Sequence, residues 1–290
     1  MTIVGITGAA GALGRRTAEY VLASQTPQET VLFSRSPQSL GEFAAAGAQV
    51  RQADFDAPAT LTEAFGGVDV LLLISTDAVG RRRSQHEAAI AAAVQAGVGR
   101  IVYTSMPNAD AAFPARLRPL SDDHAATERA LAAAGPAWTI LRNALYLDLQ
   151  LGGLAHAGAT GQLVSNNGSG RQAPLLRDDC AAAAAAVLLG DGHDNAVYDI
   201  GGADLVDDAA IAAALSTRYG RTVEVIGVSD EAYADGLIGA GVPAELAGVL
   251  TGFGESIRAG LLETPVGDTE KLIGRPPVSL AEVISRGAGG

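Results

Sequence analysis

Three glycines at GxxGxxG spacing, Gly8, Gly11 and Gly14, stand between a strand-like run, Ile3-Val4-Gly5-Ile6-Thr7, and the first helical stretch. The letters alone say little, but their position between strand and helix says more. Gly8 permits a tight turn, Gly11 lets the backbone approach a pyrophosphate, and Gly14 lets the helix pack closely on the sheet. The helix N-terminus adds unpaired N–H groups and the positive end of a dipole. A chain with this turn starts as a βαβ unit with a seat for a dinucleotide phosphate.

The rest of the first half repeats the same rhythm. Short runs of Val, Ile and Leu read as strands at Ile3 to Thr7, Thr30 to Ser34, Ala48 to Gln52, Val70 to Ile74, Ile101 to Ser105 and Trp138 to Arg142. Ala-rich helical segments lie between them, with stops at Gly97 after Ala88 to Ala96 and at Gly135-Pro136 after Ala125 to Ala134. The pattern predicts an α/β fold, a Rossmann-type doubly wound parallel sheet. After Arg142 the glycine-rich 152–161 and the polar 165–172 read as loops, and a helix resumes at Asp178. Beyond Tyr198 a helix over Ile211 to Tyr219, a strand over Thr222 to Val228 and helices near Glu231 and Glu245 are expected. Residues 1–145 are therefore expected to form the core. Residues 146–290 form a smaller lobe over the mouth of the sheet, interleaved with the core, to which the stretch near 170–200 returns.

Composition narrows the function classes. The 290 residues are 48% hydrophobic, enough for a large core without covalent staples. A net charge of −12 argues against a nucleic-acid partner, which most of the surface would repel. The one basic run, Arg81-Arg82-Arg83, reads either as a solvated helix start or as an anion site. No segment reaches the roughly 18 apolar residues of a membrane span, and no leader pattern opens the chain. The lone Cys180 sits in an Ala-rich helix and fits a reducing cytoplasm. The four histidines are far apart in sequence, so no metal site is expected. A single sequence does not separate interface patches from core, and self-association stays open.

The end of the second strand selects among dinucleotides. NAD-binding versions place a carboxylate there, whereas this chain has Phe33-Ser34-Arg35-Ser36. An Arg35 fork suits the extra 2′-phosphate of NADP(H), the alternative being a solvent-facing loop arginine. Asp54 ends the third strand, either at the adenine edge or as a helix cap. Ser105 ends the fifth, lining a nicotinamide pocket or simply closing a buried strand.

The Tyr-x-x-x-Lys pair of common short-chain reductases is missing. The only lysine is Lys271, and the corresponding helix carries His124 and Glu128 at the dyad positions. His124 reads as a proton donor near neutral pH or as a structural histidine at a helix start. Asn143 and Tyr146, at the carboxyl end of the sixth strand, can hydrogen-bond an acceptor oxygen. Reducing a simple ketone develops alkoxide charge, while a quinone becomes aromatic and leaves a stabilised phenolate. A small quinone-like substrate therefore tolerates the missing acid.

The segments TGAAGALG, FSRSP, VRQADF, LLLIST, YTSM, HAATE and ILRNALY resemble the NmrA-like atypical short-chain reductases, and among them the bacterial NAD(P)H:quinone oxidoreductase 2 type. The resemblance continues through LLRDDCAAAAAAVL and VYDIGG to KLIGRPPVSLAEV. It implies cofactor contacts at Gly8, Ala9, Ala10, Gly11, Ala12 and Leu13, and at Arg35. It implies others at Ser75, Thr76 and Asp77, at Asn143, Ala144, Leu145, Tyr146, Leu147 and Asp148, and at Arg177. The stretch Ala112 to Leu120 departs from the pattern in its length and its Arg and Pro content. Such families also hold regulators that sense NADP(H) without turnover, and reductases or isomerases of other carbonyl compounds, so three functions stand side by side.

Overall fold

The computed structural model describes residues 2–78 and 80–287. Its first half alternates strictly: β1 (Val4–Ile6), α1 (Ala12–Ser24), β2 (Thr30–Ser34), α2 (Gly41–Ala45), β3 (Gln49–Gln52), α3 (Leu61–Ala64) and β4 (Val70–Leu73). Then come α4 (Arg82–Gln95), β5 (Arg100–Ser105), α5 (Arg118–Ala133) and β6 (Ala137–Asn143). The second half holds α6 (Leu147–Thr160), β7 (Gln162–Ser165), α7 (Arg177–Leu189), β8 (Ala196–Ile200), α8 (Asp208–Tyr219) and β9 (Glu224–Gly227). Four helices end it: α9 (Asp230–Gly239), α10 (Ala244–Arg258), α11 (Asp268–Ile273) and α12 (Leu280–Arg286).

Seven parallel strands form the main sheet in the order β3-β2-β1-β4-β5-β6-β8. Successive strand side chains point to opposite faces, and both faces are covered, so the inner strands are mostly apolar, while the edge strands β3 and β8 carry polar residues. Val4, Ile6, Leu32, Leu72, Val102 and Leu141 pack against α1 and α7. Val31, Phe33, Leu71, Leu73, Ile101 and Tyr103 pack against α3, α4 and α5, with Phe33 and Phe65 edge to face at 5.1 Å. The alanines of α7 keep it close to α1, and the Tyr20 hydroxyl reaches Asp178 at 3.0 Å.

Six of the seven strands lie where the sequence patterns place them, and the chain reverses its direction of travel across the sheet between β1 and β4. Two readings need correction. Residues 152–161 are not a loop: all but the last lie in α6, whose Leu147, Leu154 and Ala157 meet α8 and α12. Its Gly158 leaves room for Tyr219, whose ring stands 2.1 Å from where a Cβ would be. The seventh strand, β8, went unread, and it pairs with β6 from Thr139↔Ala196 to Asn143↔Ile200. The expected strand over Thr222 to Val228 is β9, paired parallel with β7 in a separate two-stranded sheet. The Ala112 to Leu120 stretch lies under α10, where Phe113 and Leu117 pack with Ile257 and Leu262. No helix among the described residues is long and apolar enough to cross a membrane.

Candidate functional site

A cleft of about 760 Å³ opens at the carboxyl ends of β1 to β4, where the sheet order switches direction. Its walls are the glycine turn after β1, Ser34 to Ser39 after β2, Ala53 to Asp56 after β3, Ile74 to Ala78 after β4, the start of α4, and Arg177.

The floor is built as the glycines require. Gly8 has φ +62°, a conformation that side chains rarely adopt. A Cβ on Gly14 would stand 2.3 Å from the Gly8 carbonyl oxygen, so α1 starts hard against the turn. The N–H groups of Ala12 and Leu13, in the first turn of α1, have no intrahelical acceptor and face the cleft end. Ala9 is the exception in this run. It is fully buried and its N–H donates to the Phe33 carbonyl at 3.1 Å, so it does not line the cleft.

Arg35 is exposed at the cleft, and no carboxylate among the described residues pairs with it. Asp54 also lines the cleft, while its Oδ1 accepts the Asp56 N–H at 3.0 Å and so shapes the turn after β3. Ser75, Thr76 and Asp77 form the opposite wall. The Ser75 N–H donates to Thr104 Oγ1 at 2.9 Å and the Thr76 N–H to His86 Nε2 at 3.1 Å. The Thr76 hydroxyl donates to Gln85 Oε1 at 2.8 Å. This wall is therefore hung on buried groups behind it, His86 above all.

A second group stands past the cleft at the end of β6. Asn143 is buried, its Nδ2 donates to the Tyr146 hydroxyl at 3.2 Å, and its Oδ1 has no partner among the described residues. The Tyr146 hydroxyl thus accepts from Asn143 and keeps its own proton for a third group. Burial above all raises the Tyr146 pKa, which holds it protonated. Arg177, on the cleft wall, lies over the Tyr146 ring at 5.2 Å and ties the two groups together. Asp148 accepts the Arg177 N–H at 2.8 Å and anchors the start of α7. Ala144 and Leu147 turn away: both are buried, and their N–H groups donate to Ile200 and Leu175. Leu145 is half-buried and packs on the α10 side, its carbonyl accepting the Leu175 N–H.

His124 does not meet the expectation of a proton donor at the mouth. It lies within α5, buried, with Arg82 Nη1 3.3 Å from Nε2 and the Tyr103 hydroxyl 2.8 Å from Nδ1. Burial first, then the Arg82 charge, hold its pKa well below the ordinary value, so it is neutral. Glu128, the other dyad position, receives Ser105 Oγ at 2.6 Å and Arg142 Nη2 at 2.7 Å. Ser105 is spent there. Both dyad positions are thus absorbed into buried structure.

The basic run splits three ways. Arg82 is buried on His124, Arg83 pairs outward with Glu87, and Arg81 reaches Asp56 at the cleft. Sequence reading missed Asp56, Gln85 and His86, although their signal was present: Gln85 lies one helical turn past Arg81, and His86 one turn past Arg82.

A family model described as NAD(P)H-binding matches residues 8–191. Quinone oxidoreductase 2 of Escherichia coli is 37% identical over 283 residues, 98% of each chain. The chain belongs to the NAD(P)H-binding, NmrA-like family. Within this NmrA-like family, the crystal structure of the NADPH-dependent E. coli quinone oxidoreductase with NADPH superposes at TM-score 0.92, with 36% identity over 98% of this chain and 99% of the other. The triphenylmethane reductase of Citrobacter sp. with NADP(H) superposes at 0.91, with 31% identity over 99% of both chains. The NmrA-like fold and its NAD(P)H seat are thus common ground across relatives whose names carry different acceptors.

Proposed function

We propose that this chain is an NADPH-dependent oxidoreductase that reduces a quinone or a similar small acceptor. The observation that carries the reading is the pairing of a phosphate-ready cleft, open at Arg35, with the unspent hydrogen-bonding groups of Asn143 and Tyr146. The residues fit the cofactor: the turn has no room for a side chain at Gly14 and disfavours one at Gly8, and the buried Asn143 Oδ1 lacks an N–H donor.

The Ala12 and Leu13 N–H groups would hold the pyrophosphate, Arg35 the 2′-phosphate, and Asn143 Oδ1 a carboxamide N–H. When bound, the reduced nicotinamide supplies the hydride. Tyr146 donates its hydrogen bond to the acceptor oxygen and remains protonated while it does so. Asn143 Nδ2 fixes the direction of that hydroxyl, and Arg177 fixes its ring. A phenolate spreads its charge over the ring, so one positioned hydroxyl serves where a ketone needs a stronger acid.

The division into a core over 1–145 and a substrate-side lobe over 146–290, with 170–200 returning to the core, belongs to the same reading. So does a cytoplasmic location, which the buried free Cys180 suits. The test is NADPH oxidation with benzoquinones and naphthoquinones. Turnover that falls in Tyr146→Phe supports the reading, and tight NADPH binding without turnover points to an NADP(H) sensor.

A further inference from the structure

Asp56 lines the same cleft as Arg35, in the turn that follows β3. An uncompensated carboxylate in the same cleft as Arg35 repels a phosphate held there. Here Asp56 Oδ1 accepts from Gln85 Nε2 at 2.7 Å and from Arg81 Nη1 at 2.9 Å. Those two groups, Gln85 first, hold its pKa below the usual carboxylate range, and the charge of Arg35 is felt there as well. Asp56 is therefore ionised, and Arg81 is the cation that covers it. An exposed pair of this kind adds little to stability, so a role in charge balance has to be sought in the cleft.

We propose that Arg81 and Asp56 set the cofactor preference together: Arg81 neutralises Asp56 and so leaves Arg35 free for the extra phosphate of NADPH. The inference rests on the NADPH reading above and adds a residue pair that decides how strongly it holds. Without Arg81 the Asp56 charge faces the phosphate directly and competes for Arg35. With Asp56 also neutralised, the loss of Arg81 ceases to matter. Gln85 holds the carboxylate from the α4 side and links it, through the Thr76 hydroxyl, to the opposite wall.

The experiment is equilibrium titration of NADPH and NADH by their fluorescence. The proteins are the wild type, Arg35→Ala, Arg81→Ala, Asp56→Asn and the double variant Arg81→Ala/Asp56→Asn. Arg81→Ala is expected to weaken NADPH about tenfold at low ionic strength, less in high salt, and to leave NADH binding intact. The double variant regains most of the loss. Intact NADH binding also shows that each variant is folded. Unchanged NADPH affinity in Arg81→Ala overturns the proposal, as does equal weakening of both cofactors or a double variant no better than the single. If Arg35→Ala removes the NADPH preference while Arg81→Ala changes nothing, only this inference fails. A wild type without preference for NADPH, or an Arg35→Ala variant that keeps it, sinks the NADPH reading itself.

Discussion

Gly14 has no room for a methyl group, because the Gly8 carbonyl oxygen occupies its place. Gly14→Ala is expected to cost about 2 kcal/mol and to weaken NADPH binding, since the turn must move away from α1; a thermal melt and a cofactor titration check both. The site's chemistry rests on single atoms as well. Tyr146→Phe keeps the ring under Arg177 and removes the hydroxyl, so kcat should fall about tenfold with cofactor affinity held. That is less than the ~10²- to 10⁴-fold expected of an obligatory general acid. The glycines, Arg35, Asn143 and Tyr146 were legible in the sequence because each sits at a strand end whose use follows from the fold. Ala9 and Leu147 were not: consecutive residues in a turn face opposite ways, and only the backbone path shows which N–H is spent on Phe33 or Leu175.

The seam between α4, β5 and α5 is an element built of polar groups. His86 donates and accepts between Thr127 and Thr76, and His124 lies between Tyr103 and Arg82. Burial and the Arg82 charge lower the His86 pKa to about 3. The unfolded chain therefore binds more protons than the folded one below about pH 6.5, and stability falls as pH drops from there toward 3. Each histidine steepens that loss by up to about 1.4 kcal/mol per pH unit. A His86→Gln variant should be less stable at pH 7 and show a shallower acid slope in thermal melts. Glu128 anchors the same helix: Glu128→Ala removes the close partner of the Arg142 guanidinium, leaves it only the exposed Asp110 at 3.6 Å, and should cost about 2 kcal/mol in denaturant unfolding. The inner strands of the core were readable because two-sided burial makes them nearly continuous apolar runs, and the edge strand β3 from its place in the βα rhythm. Helix α6 was not, because Gly152, Gly153 and Gly158 read as a loop, although only Gly158 is required by a neighbour. The short β7 and the mixed Ala-Val-Tyr-Asp-Ile of β8 lack a period that identifies them without their partners.

At the scale of the molecule, one cofactor would bridge segments that are far apart in the chain, from the glycine turn to Arg177 at the start of α7. NADPH at one hundred times its Kd should stabilise the protein by about 2.7 kcal/mol, seen as a rise in Tm that NADH matches less well. The cleft's existence follows from the order of strands, which the βα rhythm announces. Its charge balance does not, because Arg81 meets Asp56 only once the start of α4 is laid beside the turn after β3. The most direct measurement is the loss of NADPH absorbance on adding a panel of quinones, with NADH and Arg35→Ala in parallel. The account predicts rapid NADPH oxidation, slower NADH oxidation, and a preference that shrinks in the variant. NADPH bound tightly but left unoxidised by every quinone would contradict it.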